Sequence, residues 1–445
     1  MKKQIIAYVL IASMITVILT GCFSGTVEPG EPEMNVFVGN EGLLSVLQVD
    51  AAPLISTEWR ENDSQARIAA RGANDFAFRL SAALAQNAGN ESFVVSPYSV
   101  WLPLAALLNG TAEEHRNALL TALGASGITV EDINRAASRM MFDLTNERER
   151  EWGGENQLRI ANAIFVDYNE TLRCDFAQTF ADYFRGSVMN VNFTEHAAVQ
   201  AVNRWAYEQT DGLITDLIEQ FNPDTVAAIA NAIYFSDRWV DEFDPADTVD
   251  GVFNSPNGTV SANFMQLERD GSFYFEDENL QATHLSFANG GGMFILLPRN
   301  GDANELLADM TLERFDYIQN NVKFATVQLK LPRFSIESKF DDLSDTLTAL
   351  GVPLFDRFAA PLTNGVIYNT LPTWLENAVQ KTVIEVDERG TTAAAVTVTT
   401  MVALGLPTPT ETFVMICDRP FAFILYGNTF DGGTQILFTG VVNEP

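Results

Sequence analysis

A mixed α+β fold with large antiparallel or mixed sheets is predicted from three observations. Segments with the spacing of amphipathic helices come first in the chain, and long β-branched or aromatic runs come later. Ala161-Asn162-Ala163-Ile164-Phe165 is echoed by Ala230-Asn231-Ala232-Ile233-Tyr234, which places two strands in similar surroundings of one sheet. Helices segregated from strands argue against an alternating βαβ architecture. The chain has 445 residues and is 47% hydrophobic, ample for a large core. No linker-like stretch interrupts it after about residue 70, so one body is expected there.

The elements follow in order. Residues 74–88 have helical spacing through Phe76, Leu80, Ala83 and Leu84. Pro97 suits the first turn of a helix, where its missing N–H costs nothing, and the pattern runs through Trp101, Leu104 and Leu108 to Asn109-Gly110. Thr111-Ala112-Glu113-Glu114 reads as a capping box that opens a helix over 113–123. Residues 131–145 form another amphipathic helix, while 158–166, 188–193 and 226–235 read as strands and 193–218 largely as helix. Hairpins occupy 264–297, one turning at Asn289-Gly290-Gly291-Gly292; no helix follows that glycine run, so it is no phosphate cradle. A helix over 303–318, a strand over 322–337 and a short helix over 343–350 complete the series.

The N-terminus is a targeting segment. Lys2 and Lys3 precede an apolar run from 5 to 19 that is short for spanning a membrane. Leu19-Thr20-Gly21-Cys22 resembles a bacterial lipobox, which implies a signal peptide over 1–21 and a lipid (palmitate among its chains) on Cys22. Residues 22–70 read as a lipidated tether rich in Gly, Pro and acids at its start, with a more apolar stretch at 35–54. The expected location is the cell envelope, exported and facing outward. The net charge is −31 at pH 7, which disfavours nucleic acid and leaves the lipid as the only membrane contact. Cys174 and Cys417 are too few for a disulfide framework and read as two separate buried thiols.

Hydrolase and metal chemistry have no motif here. The three histidines, His115, His196 and His284, show no ligand spacing and read as surface or helix-end residues. No G-x-S-x-G elbow and no phosphate loop occurs. No enzyme activity, metal or cofactor is expected.

The most informative stretch is 383–409, VIEVDERGTTAAAVTVTTMVALGLPTP. It opens as a strand, bends at Gly390, and then carries no charge until Glu411. Residues 391–406 contain no proline and are rich in Thr and Val, unlike an ordinary polar loop. Composition fits a buried central strand or a strand held in reserve, exposed and able to join a sheet later.

Glu388-Arg389-Gly390-Thr391-Thr392-Ala393-Ala394-Ala395 resembles the hinge of an inhibitory serpin. Other landmarks of that family appear in its order. They are Ser96-Pro97-Tyr98-Ser99, Asn203-Arg204-Trp205 with Thr210-Asp211-Gly212, Asn231-Ala232-Ile233-Tyr234-Phe235 with Trp239, Leu331-Pro332-Arg333-Phe334, Asp418-Arg419-Pro420-Phe421, and Leu437-Phe438-Thr439-Gly440. The resemblance covers about 74–445, and a domain over 71–445 is assigned to it. It implies the serpin fold, with three β-sheets, eight or nine helices and an exposed reactive-centre loop. It also implies suicide inhibition. A protease cleaves the loop, which inserts into a sheet as a new strand and carries the trapped enzyme with it.

Family parity turns Thr391, Ala393 and Ala395 inward, where small residues are needed, and they are small. Counting along the hinge places the reactive bond at Leu404-Gly405, with Met401-Val402 as the alternative. No Lys or Arg lies between Arg389 and Arg419, so the expected targets are chymotrypsin-, elastase- or subtilisin-like rather than trypsin-like. Papain-like cysteine proteases are a further target class that the family allows. The resemblance assigns Ser96, Ser99 and Asn231 to the shutter where the sheet opens, and Trp239 to the breach where the loop enters. Inhibitory members usually carry a histidine where this chain has Gln380, so a non-inhibitory surface binding protein is the alternative reading. A monomer is expected, with a protease as its partner.

Overall fold

The computed structural model describes residues 45–47, 64–145, 158–288, 290–363, 365–368, 371–391, 411–429 and 433–445. The chain begins with a short strand β1 (Ser45–Leu47) and a long helix α1 (Ser64–Ala85), followed by β2 (Phe93–Val95), α2 (Pro97–Leu107), α3 (Glu113–Ala122) and α4 (Val130–Thr145). Then come β3 (Arg159–Asp167), α5 (Cys174–Phe184), β4 (Gly186–Val191), α6 (His196–Gln209), β5 (Ala227–Tyr234) and β6 (Asp237–Arg238). The strand-rich part has β7 (Val249–Ser255), β8 (Gly258–Glu276), β9 (Leu280–Ser286), β10 (Gly292–Pro298), α7 (Ala303–Ala308), α8 (Leu312–Asn320), β11 (Lys323–Pro332) and β12 (Phe334–Phe340). It closes with α9 (Ser344–Ala349), β13 (Gln380–Val386), β14 (Gly390–Thr391), β15 (Thr412–Ile416), β16 (Phe421–Asn428) and β17 (Thr434–Val442). The described residues thus hold nine α-helices and three sheets, the expected α+β count.

One sheet runs β1-β4-β3-β5, a second β12-β13-β14-β6, and a third, nine-stranded, β15-β11-β8-β9-β10-β16-β17-β2 with β7 on β8. The echoed segments are adjacent antiparallel strands, with Asn162 opposite Asn231. Alternate residues of β3 serve two cores, as the period of a strand requires. Ile164 and Val166 join the main cluster, which includes Tyr98 and Trp101 of α2; Ala163 and Phe165 face α6, where Phe165 meets Trp205 edge-on at 6.0 Å.

Several boundaries differ from the sequence reading. α1 starts at Ser64, inside the segment read as tether, because Ala69, Gly72 and Ala73 bury a small-residue face that lacks large apolar landmarks. The capping box does not form. The Thr111 hydroxyl is buried and donates to Leu107 O at 2.7 Å, and α3 begins after Ala112 without a side-chain cap. α6 stops at Gln209, where Asp211 and Gly212 take positive φ of 50° and 87°. The predicted helix over 303–318 is two helices, restarted by a Thr311 cap that accepts from Arg314 N at 3.1 Å. The strand over 322–337 changes sheets after Pro332, which has no N–H to extend a ladder. Cys174 is half-buried rather than buried, and Cys417 is buried. His284 is no surface residue: it lies on β9 at 9% exposure, with Nε2 2.7 Å from the Tyr426 hydroxyl.

Candidate functional site: a parted sheet and a seated hinge

The first and second sheets face each other across a gap. Among the described residues no ladder joins β5 to β13, and the space between them is a cavity of about 490 Å³. β5 and β13 form its walls, the start of α2 its floor, and the segment after α6 its cover. Both walls are strand edges, whose backbone groups are chemically ready to accept another strand.

An uncharged hydrogen-bond chain crosses the floor. The Gln380 amide, at 6% exposure, donates from Nε2 to Ser96 O at 2.8 Å and accepts from Ser96 N at 3.1 Å. Amide and backbone thus satisfy each other in both directions, which fixes the orientation of the amide. Ser96 caps α2, accepting from Ser99 N at 3.4 Å, while its hydroxyl donates to Leu437 O at 2.8 Å. The Ser99 hydroxyl donates to Asn231 Oδ1, and Asn231 Nδ2 donates to Asn162 Oδ1 at 2.8 Å. Asn162 in turn donates to Phe184 O at 2.6 Å. The chain therefore ties β13, α2, β5, β3 and α5 together beneath the gap.

At the upper end the hinge is already in the sheet. Asp387 N donates to Gly390 O at 3.0 Å, and Asp387 Oδ1 accepts from Arg389 N at 2.8 Å and Gly390 N at 3.2 Å, closing a tight turn. β14 then pairs antiparallel with β13 at Val386 and with β6 at Asp237 and Arg238. Only glycine fits at 390, since a Cβ there would lie 2.0 Å from Asp237 O. Thr391 is 2% exposed. Gly390 and Thr391, which the family resemblance assigns to the hinge, are therefore seated in the sheet.

Glu388 is 4% exposed. It accepts from Arg333 Nε at 2.8 Å on both oxygens, from Arg333 Nη2 at 2.6 Å, and from the Thr248 hydroxyl. Burial opposes its charge, but these hydrogen bonds outweigh it and hold the carboxyl below its ordinary range. Trp239, at 2% exposure, stacks on Phe287 at 4.7 Å and donates Nε1 to Asp387 O at 3.0 Å. Its backbone N donates to Arg389 O at 2.8 Å, so one tryptophan braces the whole turn.

The cover is stitched to the sheets on both sides of the gap. Arg159 of β3 pairs with Asp211 at 2.6 Å. On the other side Lys381, nearly buried, donates to Asp216 and to Glu337 at 2.7 Å, and Lys339 reaches Glu219 at 2.8 Å. Burial works against the Lys381 charge, yet its carboxylate partners raise it above the ordinary lysine range.

The structure thus brings together Ser96, Ser99, Asn231 and Gln380 at the floor of the gap, and Trp239, Glu388, Gly390 and Thr391 at its upper end. Ala393, Ala394, Ala395, Met401, Val402, Leu404, Gly405 and Cys22 lie outside the described residues. Sequence reasoning missed Asn162, Arg333 as the partner of Glu388, and the lysine stitches. The echo around Asn162 and Asn231 was the one available signal, because paired asparagines in twin motifs suggest a cross-strand contact. Arg333 and Glu388 are 55 residues apart, and nothing local couples them.

The sequence signature described as Serpin (serine protease inhibitor) matches residues 71–445. An uncharacterized serpin-like protein of Thermococcus kodakarensis is 30% identical over 447 residues, covering 98% of each chain. The thermophilic serpin tengpin in its native state superimposes with a TM-score of 0.75 at 26% identity, over 89% of this chain and 98% of its own. Human thyroxine-binding globulin shares the fold with a TM-score of 0.73 at 23% identity, over 86% of this chain and all of its own.

Proposed function

The chain belongs to the serpin family, and on that premise we propose that it inhibits serine proteases by offering the loop that follows Gly390 as bait and drawing the cleaved loop into the gap between β5 and β13. One observation carries the reading: β14 is already paired at the upper end of that gap, antiparallel to both neighbours. Extending it by some eight residues, about 27 Å at ~3.4 Å each, would line the length of β5. Residues 392–399 are uncharged and no larger than valine or threonine. The Gln380 bonds to Ser96 support a floor network that functions without a histidine at that position.

The proposed reactive bond is Leu404-Gly405, and the proposed targets are chymotrypsin-, elastase- or subtilisin-like. Mixing the protein with these proteases is expected to give a complex that survives denaturing gels and a released peptide beginning at Gly405. Ala393→Arg places a charge on the inward face and is expected to turn the inhibitor into a substrate. Complex formation by that variant at the parent's rate would sink the mechanism. Cleavage of the parent without a complex would favour a non-inhibitory binding role on the same fold. We further propose that Cys22 carries a lipid that holds the chain at the cell envelope. Cys22→Ser is expected to move the protein from the membrane fraction to the soluble one, and a variant that still sediments with membranes would refute the anchor.

A further inference from the structure

The half-sheet β4-β3-β5 has two lateral edges. The β5 edge opens on the gap. The β4 edge lies at the opposite end of the order and is covered by β1, which pairs antiparallel with Ser45 opposite Asn190, Val46 opposite Met189 and Leu47 opposite Val188. β1 precedes the family-matched region, which starts at residue 71. Exposed strand edges are usually guarded by lysine, proline, inward charges or bulges. β4 has none of these. Its sequence is Gly-Ser-Val-Met-Asn-Val, without charge or proline, and Val188, Met189 and Val191 are buried. Its pairing with β3 runs the full strand without a register shift. Uncovered, it would present an unpaired strand edge, as β5 does at the gap.

A donor of matching chemistry exists on every copy. Residues 391–406 are uncharged, free of proline and rich in β-branched residues, the composition that adds to open sheet edges. We propose that β1 is a built-in edge cap that denies β4 to a second copy of this chain and so reserves strand addition for the gap at β5. The inference rests on sheet order and composition and stands whether or not the protein inhibits a protease.

Neighbouring residues of an antiparallel strand point their N–H groups to opposite sides. Proline at one of positions 45 and 46 must therefore remove a bond to β4, while proline at the other points its missing N–H away. Ser45→Pro and Val46→Pro in the full-length chain thus form a matched pair, one disruptive and one internal control. Amide hydrogen exchange over residues 186–191 reads the edge, exchange over 380–386 checks that the rest of the sheet is intact, and light scattering on mild heating reads self-association. One variant is expected to lose β4 protection at least tenfold and to self-associate several-fold faster, with 380–386 unchanged, while the other matches the parent. Equal β4 protection in all three proteins would overturn the cap. Loss of β4 protection without faster self-association would overturn its guarding role.

Discussion

Replacing Arg333 with alanine isolates the electrostatics of the hinge. In the parent, the Glu388 carboxylate is almost fully buried and is held by Arg333 and Thr248. Burial alone would raise its pKa above the ordinary 4.5, and the Arg333 hydrogen bonds reverse that. Alanine removes the strongest of the contributions that oppose burial, leaving only the Thr248 hydroxyl and a backbone hydrogen bond against it, and burial is expected to prevail. Stripping one partner from a buried ion pair costs ~3–5 kcal/mol, and the low end, about 3, applies because the Arg333 side chain is 43% exposed and water already screens it. The pH dependence must also change sign. In the parent the folded pKa is depressed, so the stabilisation is present above about pH 4.5 and fades as pH falls through the folded value. In the variant the folded pKa is raised, so stability declines as pH climbs past 4.5. Urea unfolding followed by tryptophan fluorescence, to which Trp239 in the same turn contributes alongside five other tryptophans, reads the effect. The gap between the two proteins is expected to widen from small near pH 4 to about 3 kcal/mol at pH 8. A gap of equal size at both ends would mean that lost packing of the arginine stem, not charge, is responsible.

Two further perturbations test other parts of the molecule. Burial, and to a lesser degree the nearby Arg269, pushes His284 from its usual 6.5 down to about 4. The folded state resists that proton, so stability is intact above pH 6.5 and falls by about 3 kcal/mol on the way to pH 4; His284→Gln is expected to flatten thermal-unfolding midpoints over that window, and unchanged slopes would refute the assignment. Gln380→Ala strips partners from both Ser96 N and Ser96 O, each buried, at ~1–3 kcal/mol apiece; it is expected to lower the urea midpoint and speed heat-induced self-association, and a variant matching the parent in both would show that the floor network is dispensable.

What could be read from sequence was whatever depends on local pattern. Pro97 marked the start of α2 to the residue, and the twin Ala-Asn-Ala motifs marked two strands that prove to be direct neighbours. The bend at Gly390 was legible because a glycine closes the charged run Asp387-Glu388-Arg389, and Trp239 because it follows a recognisable strand. What escaped depends on contacts between distant segments. Thr111 looked like a cap, but tertiary burial gave its hydroxyl a carbonyl of the preceding turn instead. His284 read as a surface or helix-end residue because no local pattern marks it, yet the pleat of β9 aims it at Tyr426. The seating of Gly390 and Thr391 needed Asp237 and Arg238 as partners, some 150 residues away. No periodicity announces that Lys381 and Lys339 tie the α6 exit to β13 and β12.

The placement of the titrating groups has a consequence for the opening of this sheet that the proposed mechanism requires. Every side chain in the floor network is a serine, an asparagine or a glutamine, and none of these gains or loses a proton near neutrality. Parting β5 from β13 therefore exchanges hydrogen bonds without exchanging protons. Linkage then requires that this step, taken alone, be insensitive to pH. Of the groups that do respond, Asp216 lies in the cover against Lys381, and the others sit away from the gap. Glu388 with Arg333 holds the turn at the top, and His284 lies within the nine-stranded sheet. Acid is consequently expected to act on this molecule through the Glu388 turn, the Lys381–Asp216 contact and the β9–β10–β16 region, while the floor side chains hold no proton to exchange. A histidine at 380 would put a proton at the centre of the proposed opening step, and glutamine carries none while making both bonds to Ser96.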